Sequence, residues 1–255
     1  MTRISLTIIT PVLNGANTIE ACLNSVASQR TDIAHIEHIV IDGGSVDRTL
    51  EVVSRFPGVR VISEPDEGIF DAMNKGIRLA RGEVVGILNA DDWYEPGALR
   101  GVLARFEWGG SDLGVVYGDQ RRWTVEGTPY LVTPHHKRLK GWQRYLGMPL
   151  RHGSMFVRKQ VYERLGTYNI RYTLTADYEL TLRLLASDVP MAYLPTVLVN
   201  MREGGAGNVG TVIWERIELR HEAGMSFIPA FLLSVLISVK TKGFWKTICS
   251  VFGKE

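Results

Sequence analysis

Short apolar runs recur along the first half of the chain, separated by stretches whose apolar residues return at helical spacing. Ile4–Thr10 reads as a buried strand, which Pro11 is expected to stop before Asn14-Gly15 turns the chain. Ile19, Cys22, Leu23 and Val26 then fall on one helix face, with Thr18 placed to cap it. His38–Ile41, Val59–Ile62, Val84–Leu88 and Gly114–Gly118 continue the strand series. Between them the pattern predicts three helices. One is capped by Ser45 or Asp47 and runs through Phe56, one is marked by Ile69, Met73, Ile77 and Ala80 and ended by Gly82, and one follows Pro96. Alternating strands and helices imply an α/β fold, a Rossmann-like, mostly parallel sheet with helices on both faces.

The second half has a different rhythm. Asp119–Val132 predicts a hairpin with Glu126-Gly127 at its turn, and Ser154–Val157 a strand. Thr133–Leu150 has no clear period and is expected to pass over the site. Ala176–Ala186 is a helix with Tyr178, Leu182 and Leu185 inward. Ala192–Leu194 and Val197–Met201 are short extended pieces, Gly204-Gly205-Ala206-Gly207 a joint, and Val209–Ala223 a helix. The tail is apolar and basic. Its longest apolar stretch, Phe227–Val239, falls short of the roughly twenty residues a membrane span needs. Followed by Lys240, Lys242 and Lys246, it suits the headgroup layer of an anionic membrane, or packing on the domain or a partner.

Composition narrows the classes. A chain of 255 residues that is 45% hydrophobic can build a substantial core. Lys+Arg 29 against Asp+Glu 27 leaves net +2, so there is no general attraction to nucleic acid. Arg121-Arg122-Trp123 and Lys137–Tyr145 are basic and aromatic but bring no nucleic-acid module with them. Cys22 and Cys249 lack metal-ligand spacing and read as reduced thiols of a cytoplasmic protein. Met1-Thr2-Arg3 and the short run after it are not expected to form an export signal.

The candidate chemistry is acidic. Gly82–Tyr94 carries an apolar strand straight into Asp91-Asp92, two adjacent carboxylates that repel unless a cation joins them. A divalent metal holding a diphosphate meets that need, although Asp before a helix also serves as a cap. Asp42-Gly43-Gly44-Ser45 ends the second strand and reads as a ribose or base contact, or as a turn. Asp66-Glu67-Gly68-Ile69-Phe70-Asp71 gathers acids at a helix start, where they also offset the helix dipole, and Asp71 and Asn74 share a helix face. Asp177, in the first turn of the Ala176 helix, is a general base or a cap. His152 could reach phosphate, whereas His135-His136 has no third ligand at useful spacing.

Together these segments resemble a family 2 glycosyltransferase of the GT-A fold. The resemblance rests on Thr10-Pro11-Val12-Leu13-Asn14, Ile41–Thr49, Ser63–Ile77, Leu88-Asn89-Ala90-Asp91-Asp92, His152-Gly153-Ser154-Met155-Phe156 and Ala176-Asp177-Tyr178-Glu179-Leu180. The chain is similar to bacterial exopolysaccharide enzymes of the kind that build colanic acid. The resemblance implies that Thr10, Pro11, Asn14 and Asp42 hold the base and ribose, and that Asp71 and Asp91 complete the pocket. It further implies that Asp92 binds Mg2+ or Mn2+ and that Asp177 is the catalytic base. Asp66, Asn74, Lys75 and His152 are further candidates. The first acid of a strict D-x-D is replaced by Ala90, and the Gly204–Gly207 segment lacks the serine that many relatives carry.

The implied enzyme is an inverting transferase that moves a sugar, by default from a UDP donor, to a saccharide or lipid-linked acceptor. Residues 1–205 would form the catalytic domain, with 1–118 for the nucleotide-sugar and 119–205 for the acceptor. Residues 206–255 would form a helical tail, with 225–253 touching the inner face of the cytoplasmic membrane. A sugar nucleotidyltransferase and a non-catalytic nucleotide-sugar binder are the competing readings. A dinucleotide-dependent dehydrogenase would need a G-x-G-x-x-G after the first strand, which is absent.

Overall fold

The computed structural model describes residues 5–30, 36–134, 141–204, 209–222 and 224–242. The expected joint at 205–207, His135-His136, Cys249 and the tail beyond 242 lie outside the described residues. A nine-stranded mixed sheet forms the centre. Strands β3 (Val59–Ser63), β2 (Ile36–Asp42), β1 (Leu6–Val12) and β4 (Val84–Ile87) lie side by side and parallel. β8 (Met155–Arg158) follows antiparallel to β4, then β6 (Val115–Trp123), β9 (Met191–Arg202) and the two-residue β5 (Trp93–Tyr94). β7 (Pro129–Val132) pairs only with β6, and Gly127 takes the positive φ that their turn requires.

The alternation of β1 divides the core into two layers. Ile9 faces α3 (Ile69–Leu79), where Phe70, Met73 and Ile77 pack on it. Leu6 and Ile8 face α1 (Ile19–Ala27) and α4 (Ala98–Gly109) through Cys22, Val26, Leu99, Val102 and Phe106. Gly76 lets α3 lie directly on β1, because a side chain there would run into Ile9. The Thr10 hydroxyl and His38 Nε2 meet at 2.9 Å inside this core. Burial holds the His38 imidazole down at about 3, so it is neutral at physiological pH.

Several details differ from the sequence expectation. β1 runs through Pro11 to Val12. The Ile9 carbonyl accepts from Leu88 toward β4, so Pro11, two residues on, also points its nitrogen that way, past the last β1–β4 pair at Ile9 and Ile87. No ladder bond is lost there. The two extended pieces after 190 are one strand, β9, with its irregularity taken up opposite Gly118–Gln120. β5 and the short helix α5 (Lys159–Leu165) were not expected. In α6 (Ala176–Ala186) the inward residues are Tyr178, Leu180, Leu182 and Leu184 rather than Leu185.

Helix α7 (Val209–Glu222) is bound closely to the body that precedes it. Arg220, fully buried, donates to the Tyr145 carbonyl at 2.7 Å. α8 (Phe227–Lys242) packs on α7 through Ala230, beside Ile213 and Ile217, while the Ser234 hydroxyl meets Arg220. Among the described residues no helix is long and apolar enough to cross a membrane.

Candidate active site

The C-terminal ends of the parallel strands meet at one edge of the sheet, where an open α/β sheet forms its ligand crevice. Asp42 ends β2, and Asn89–Asp92 follow β4 directly. A 3-10 turn, His152–Ser154, enters β8 beside them, and α6 brings Asp177 in its first turn.

These elements align four side chains. Asp92 Oδ1 accepts the Arg202 backbone N–H at 3.2 Å, and Asp92 Oδ2 lies 3.4 Å from Asn89 Nδ2. The same amide nitrogen is 3.4 Å from His152 Nε2. On its other side, His152 Nδ1 stands 3.3 Å from Asp177 Oδ2. Asp177 Oδ1 accepts the Tyr178 N–H at 2.8 Å. A continuous polar line thus joins the acid pair after β4 to the acid that opens α6, and His152 is its bridge.

The two adjacent acids differ. Asp92 is 1% exposed, while Asp91 is half-buried. Burial, and then the charge of Asp91, push the Asp92 carboxyl up to about 7, against the opposing pull of the Arg202 N–H, His152 and Asn89. The pair is therefore short of positive charge. Beside it the Asn89 side-chain carbonyl is buried with no hydrogen-bond partner. Among the described residues no three His, Cys, Asp or Glu side chains gather into a metal cage. Hard oxygens on one or two carboxylates, with room left for other ligands, suit Mg2+ or Mn2+ carried on a diphosphate.

The other candidate residues organise the loops around the crevice. Asn14, at φ 52, donates its backbone N–H to Ser45 Oγ at 2.7 Å and accepts the Val46 N–H at 3.0 Å, fastening the loop after β1 to the loop after β2. Asp42 is fully buried and accepts from Ser63 Oγ at 2.6 Å, from Gly44 N and Ser45 N, and from the Ser45 hydroxyl. Pro11 is buried within β1. Asp66 accepts the Gly68 N–H, and Gly43 leaves space for its carboxylate. Lys75 joins Glu64 at 3.1 Å, Asp71 at 3.4 Å and the Pro65 carbonyl at 2.7 Å.

Two expectations are corrected here. The Thr10 side chain points into the core at His38, so only its backbone can face a ligand. Asn74 is turned away as well. Its amide bonds both the carbonyl and the N–H of Tyr168, at 2.8 and 2.9 Å, and clamps that loop to α3. Sharing a helix face with Asp71 did not give Asn74 the same neighbour.

Three contributors were not foreseen: Asn89, the Arg202 backbone and Glu215. Asn89 stands in the Leu88–Asp92 segment, where its place beside the acids was the available signal. Glu215, on α7, accepts from Thr173 N at 2.7 Å, Thr173 Oγ1 at 2.8 Å, Leu174 N at 3.1 Å and Thr175 Oγ1 at 2.8 Å. It thereby fixes the segment that leads into Asp177. Glu215→Ala leaves these donors unpaired and is expected to cost about 3 kcal/mol in a urea unfolding titration. Glu215→Gln retains part of the bonding and should cost less. Equal stability of all three proteins would contradict this anchoring.

A model described as glycosyl transferase family 2 matches residues 7–166 of the chain. A PGL/p-HBAD biosynthesis glycosyltransferase of Mycobacterium tuberculosis is 34% identical over 216 residues, covering 79% of this chain and 78% of the relative. A chondroitin synthase of Pasteurella multocida is 29% identical over 68% of this chain, a region that makes up only 18% of that protein. Among solved structures, residues 1–349 of S. aureus TarS bound to UDP-GlcNAc superpose with a TM-score of 0.68 at 16% identity, covering 97% of this chain and 73% of that one. A mannosyltransferase from Pyrobaculum calidifontis, solved with GDP-Man and Mn2+, gives 0.64 at 19% identity, covering 99% and 74%. These structural likenesses establish the GT-A fold.

Proposed function

The chain belongs to glycosyl transferase family 2, and from that premise we propose that it transfers a sugar, with inversion, from a UDP-linked donor to a saccharide or lipid-linked acceptor in bacterial surface polysaccharide or glycolipid synthesis. The observation that carries this reading is the line from Asp92 through Asn89 and His152 to Asp177, which sets an acid pair and a candidate base at the two ends of one crevice. That two structural neighbours were solved with nucleotide-sugars, one of them with Mn2+, supports the choice of donor and ion.

In this reading Asp91 and Asp92 hold the cation, Asp91 as the more open carboxylate and Asp92 as the deeper one, with the Asn89 carbonyl beside them. Mg2+ or Mn2+ bound there supplies the positive charge that a departing diphosphate needs. The loops tied by Asn14, Asp42 and Asp66 form the base and ribose end, and Asp71 with Lys75 closes its flank. Asp177 takes the proton of the acceptor hydroxyl as that oxygen attacks the anomeric carbon. The bond to the diphosphate breaks on the opposite face, so configuration inverts. His152 orients the Asp177 carboxylate from the side of the acid pair. The catalytic unit extends past residue 205 to include α7, because Glu215 positions the approach to Asp177.

The test is a melting-point screen of the full chain against UDP-, GDP- and dTDP-sugars with and without Mn2+. A ligand present at a hundredfold its dissociation constant stabilises the native state by about 2.7 kcal/mol. One nucleotide class is expected to raise the melting point, and more strongly with Mn2+. No response to any of them would remove the donor assignment.

Membrane contact through α8 is part of the same proposal. Its buried side, Ala230 and Ser234, lies against α7, and Ile228, Leu232 and Leu236 stand 70%, 60% and 66% exposed at four-residue spacing. Leu232→Glu with Leu236→Glu should abolish co-flotation with anionic vesicles and leave donor binding intact. Unchanged flotation would place these residues against something other than lipid.

A further inference from the structure

A group of arginines beside Asp177 has no role in the donor chemistry above. Arg122 on β6, Arg151 at the start of the His152 turn and Arg216 on α7 lie near enough for Arg151 to feel the charges of the other two, as well as that of Asp177. Among the described residues none of the three is within ion-pair distance of a carboxylate. Asp177 is engaged with His152, and Glu203 with the Tyr130 hydroxyl. Arg122 Nε and Arg216 Nε are buried without hydrogen-bond partners. Gln120, two residues before Arg122, is 1% exposed, and both atoms of its amide are also unpartnered. A small cavity is lined by Gln120, Arg151, Ser154 and Thr133. Burial, and then the repulsion of Arg122, lower the Arg151 guanidinium to about 10.

Arg122 also bonds the Tyr130 side chain, but bringing like charges together and leaving the Nε donors of Arg122 and Arg216 unmade costs stability, and such sites are kept where a ligand of opposite charge completes them. A fork of guanidinium N–H groups matches a phosphate or carboxylate. Since Arg151 immediately precedes His152, such an anion would sit on the Asp177 side of the crevice, where an acceptor enters. We propose that Arg122, Arg151 and Arg216, with the Gln120 amide behind them, receive an oxyanion carried by the acceptor, so that the enzyme selects acidic acceptors such as those bearing a phosphate. This rests on Asp177 as the base, but its test is a binding measurement that does not depend on turnover.

The same oxyanion chemistry could belong to the donor diphosphate, and the experiment separates the two sources. Full-length protein is saturated with UDP and Mg2+ and titrated with inorganic phosphate at constant ionic strength, with the melting point as readout. Phosphate should raise the midpoint further in the UDP-loaded protein, and Arg122→Gln and Arg216→Gln should each weaken that response about tenfold, as the loss of a charge-assisted bond implies. Arg55→Gln, at the exposed C-cap of α2 (Thr49–Ser54) where Arg55 pairs with Glu51, should respond like the native chain. If phosphate acts only when UDP is absent, the cluster serves the donor and the proposal fails. It fails equally if the arginine variants respond like the native chain, since phosphate is then bound elsewhere.

Discussion

Asp177→Asn is expected to lower the turnover number roughly a thousandfold while leaving nucleotide-sugar binding unchanged, within the usual range for losing a general base. The substitution keeps shape and can still accept the Tyr178 N–H that Asp177 Oδ1 accepts at 2.8 Å. It cannot take a proton from an attacking hydroxyl. The acid pair after β4 is untouched, and His152 and Asn89 stand between it and the altered residue. If Asp177 served only as a helix cap, Asn, an equally good cap, would leave both stability and turnover nearly unchanged. Transfer assays, calorimetric donor titration and a urea curve on the same preparations therefore separate a base from a cap and an enzyme from a non-catalytic binder.

Asp92→Asn should abolish the gain in UDP affinity that Mn2+ gives, and the native protein should show that gain depending on pH in a fixed direction. Burial and Asp91 raise the Asp92 carboxyl to about 7 when no cation is present. Because the folded value lies above the unfolded one, the protonated form favours folding. That contribution is fully present below the unfolded value near 4 and is lost as pH rises through about 7. A cation reverses the balance by binding the ionised form. Apparent Mn2+ affinity should thus fall up to tenfold per pH unit below about 7 and level off above it. In Asp92→Asn the slope should vanish. Asp91→Asn should also weaken Mn2+ binding, but in that variant Asp92, freed of its charged neighbour, should titrate lower. Calorimetric titration of UDP with Mn2+ between pH 5.5 and 8.5 would test both variants. A native affinity that does not vary with pH would show that the buried acid of the pair takes no part.

The sheet was legible because its signals are local. Apolar runs after helices with regular spacing identified β1 to β4 and α1 to α4, and Asn14-Gly15 and Gly127 marked turns through their backbone demands. β5 has two residues and exists only because β9 pairs with it, so no window on the sequence contains its cause. Pro11 misled because its effect depends on whether a neighbour needs its nitrogen, which is a property of the sheet. The acids of the crevice were visible as residues, but their surroundings were not. The Arg202 N–H that reaches Asp92 comes from 110 positions further along, and Glu215 reaches its loop from about 40 positions away. Asn74 and Asp71 looked equivalent by spacing. Only packing against Tyr168 separated Asn74, a loop clamp, from Asp71, which pairs with Lys75.

The proposed activity is a single displacement at the anomeric carbon, with Asp177 on the acceptor side and the acid pair on the leaving-group side. Proton NMR of the newly formed glycosidic linkage tests this directly once a productive donor is known. A product with the opposite anomeric configuration to the donor is the predicted result. A product that retains the donor's configuration would contradict it, since two displacements would then be needed and Asp177 could not act as the sole base.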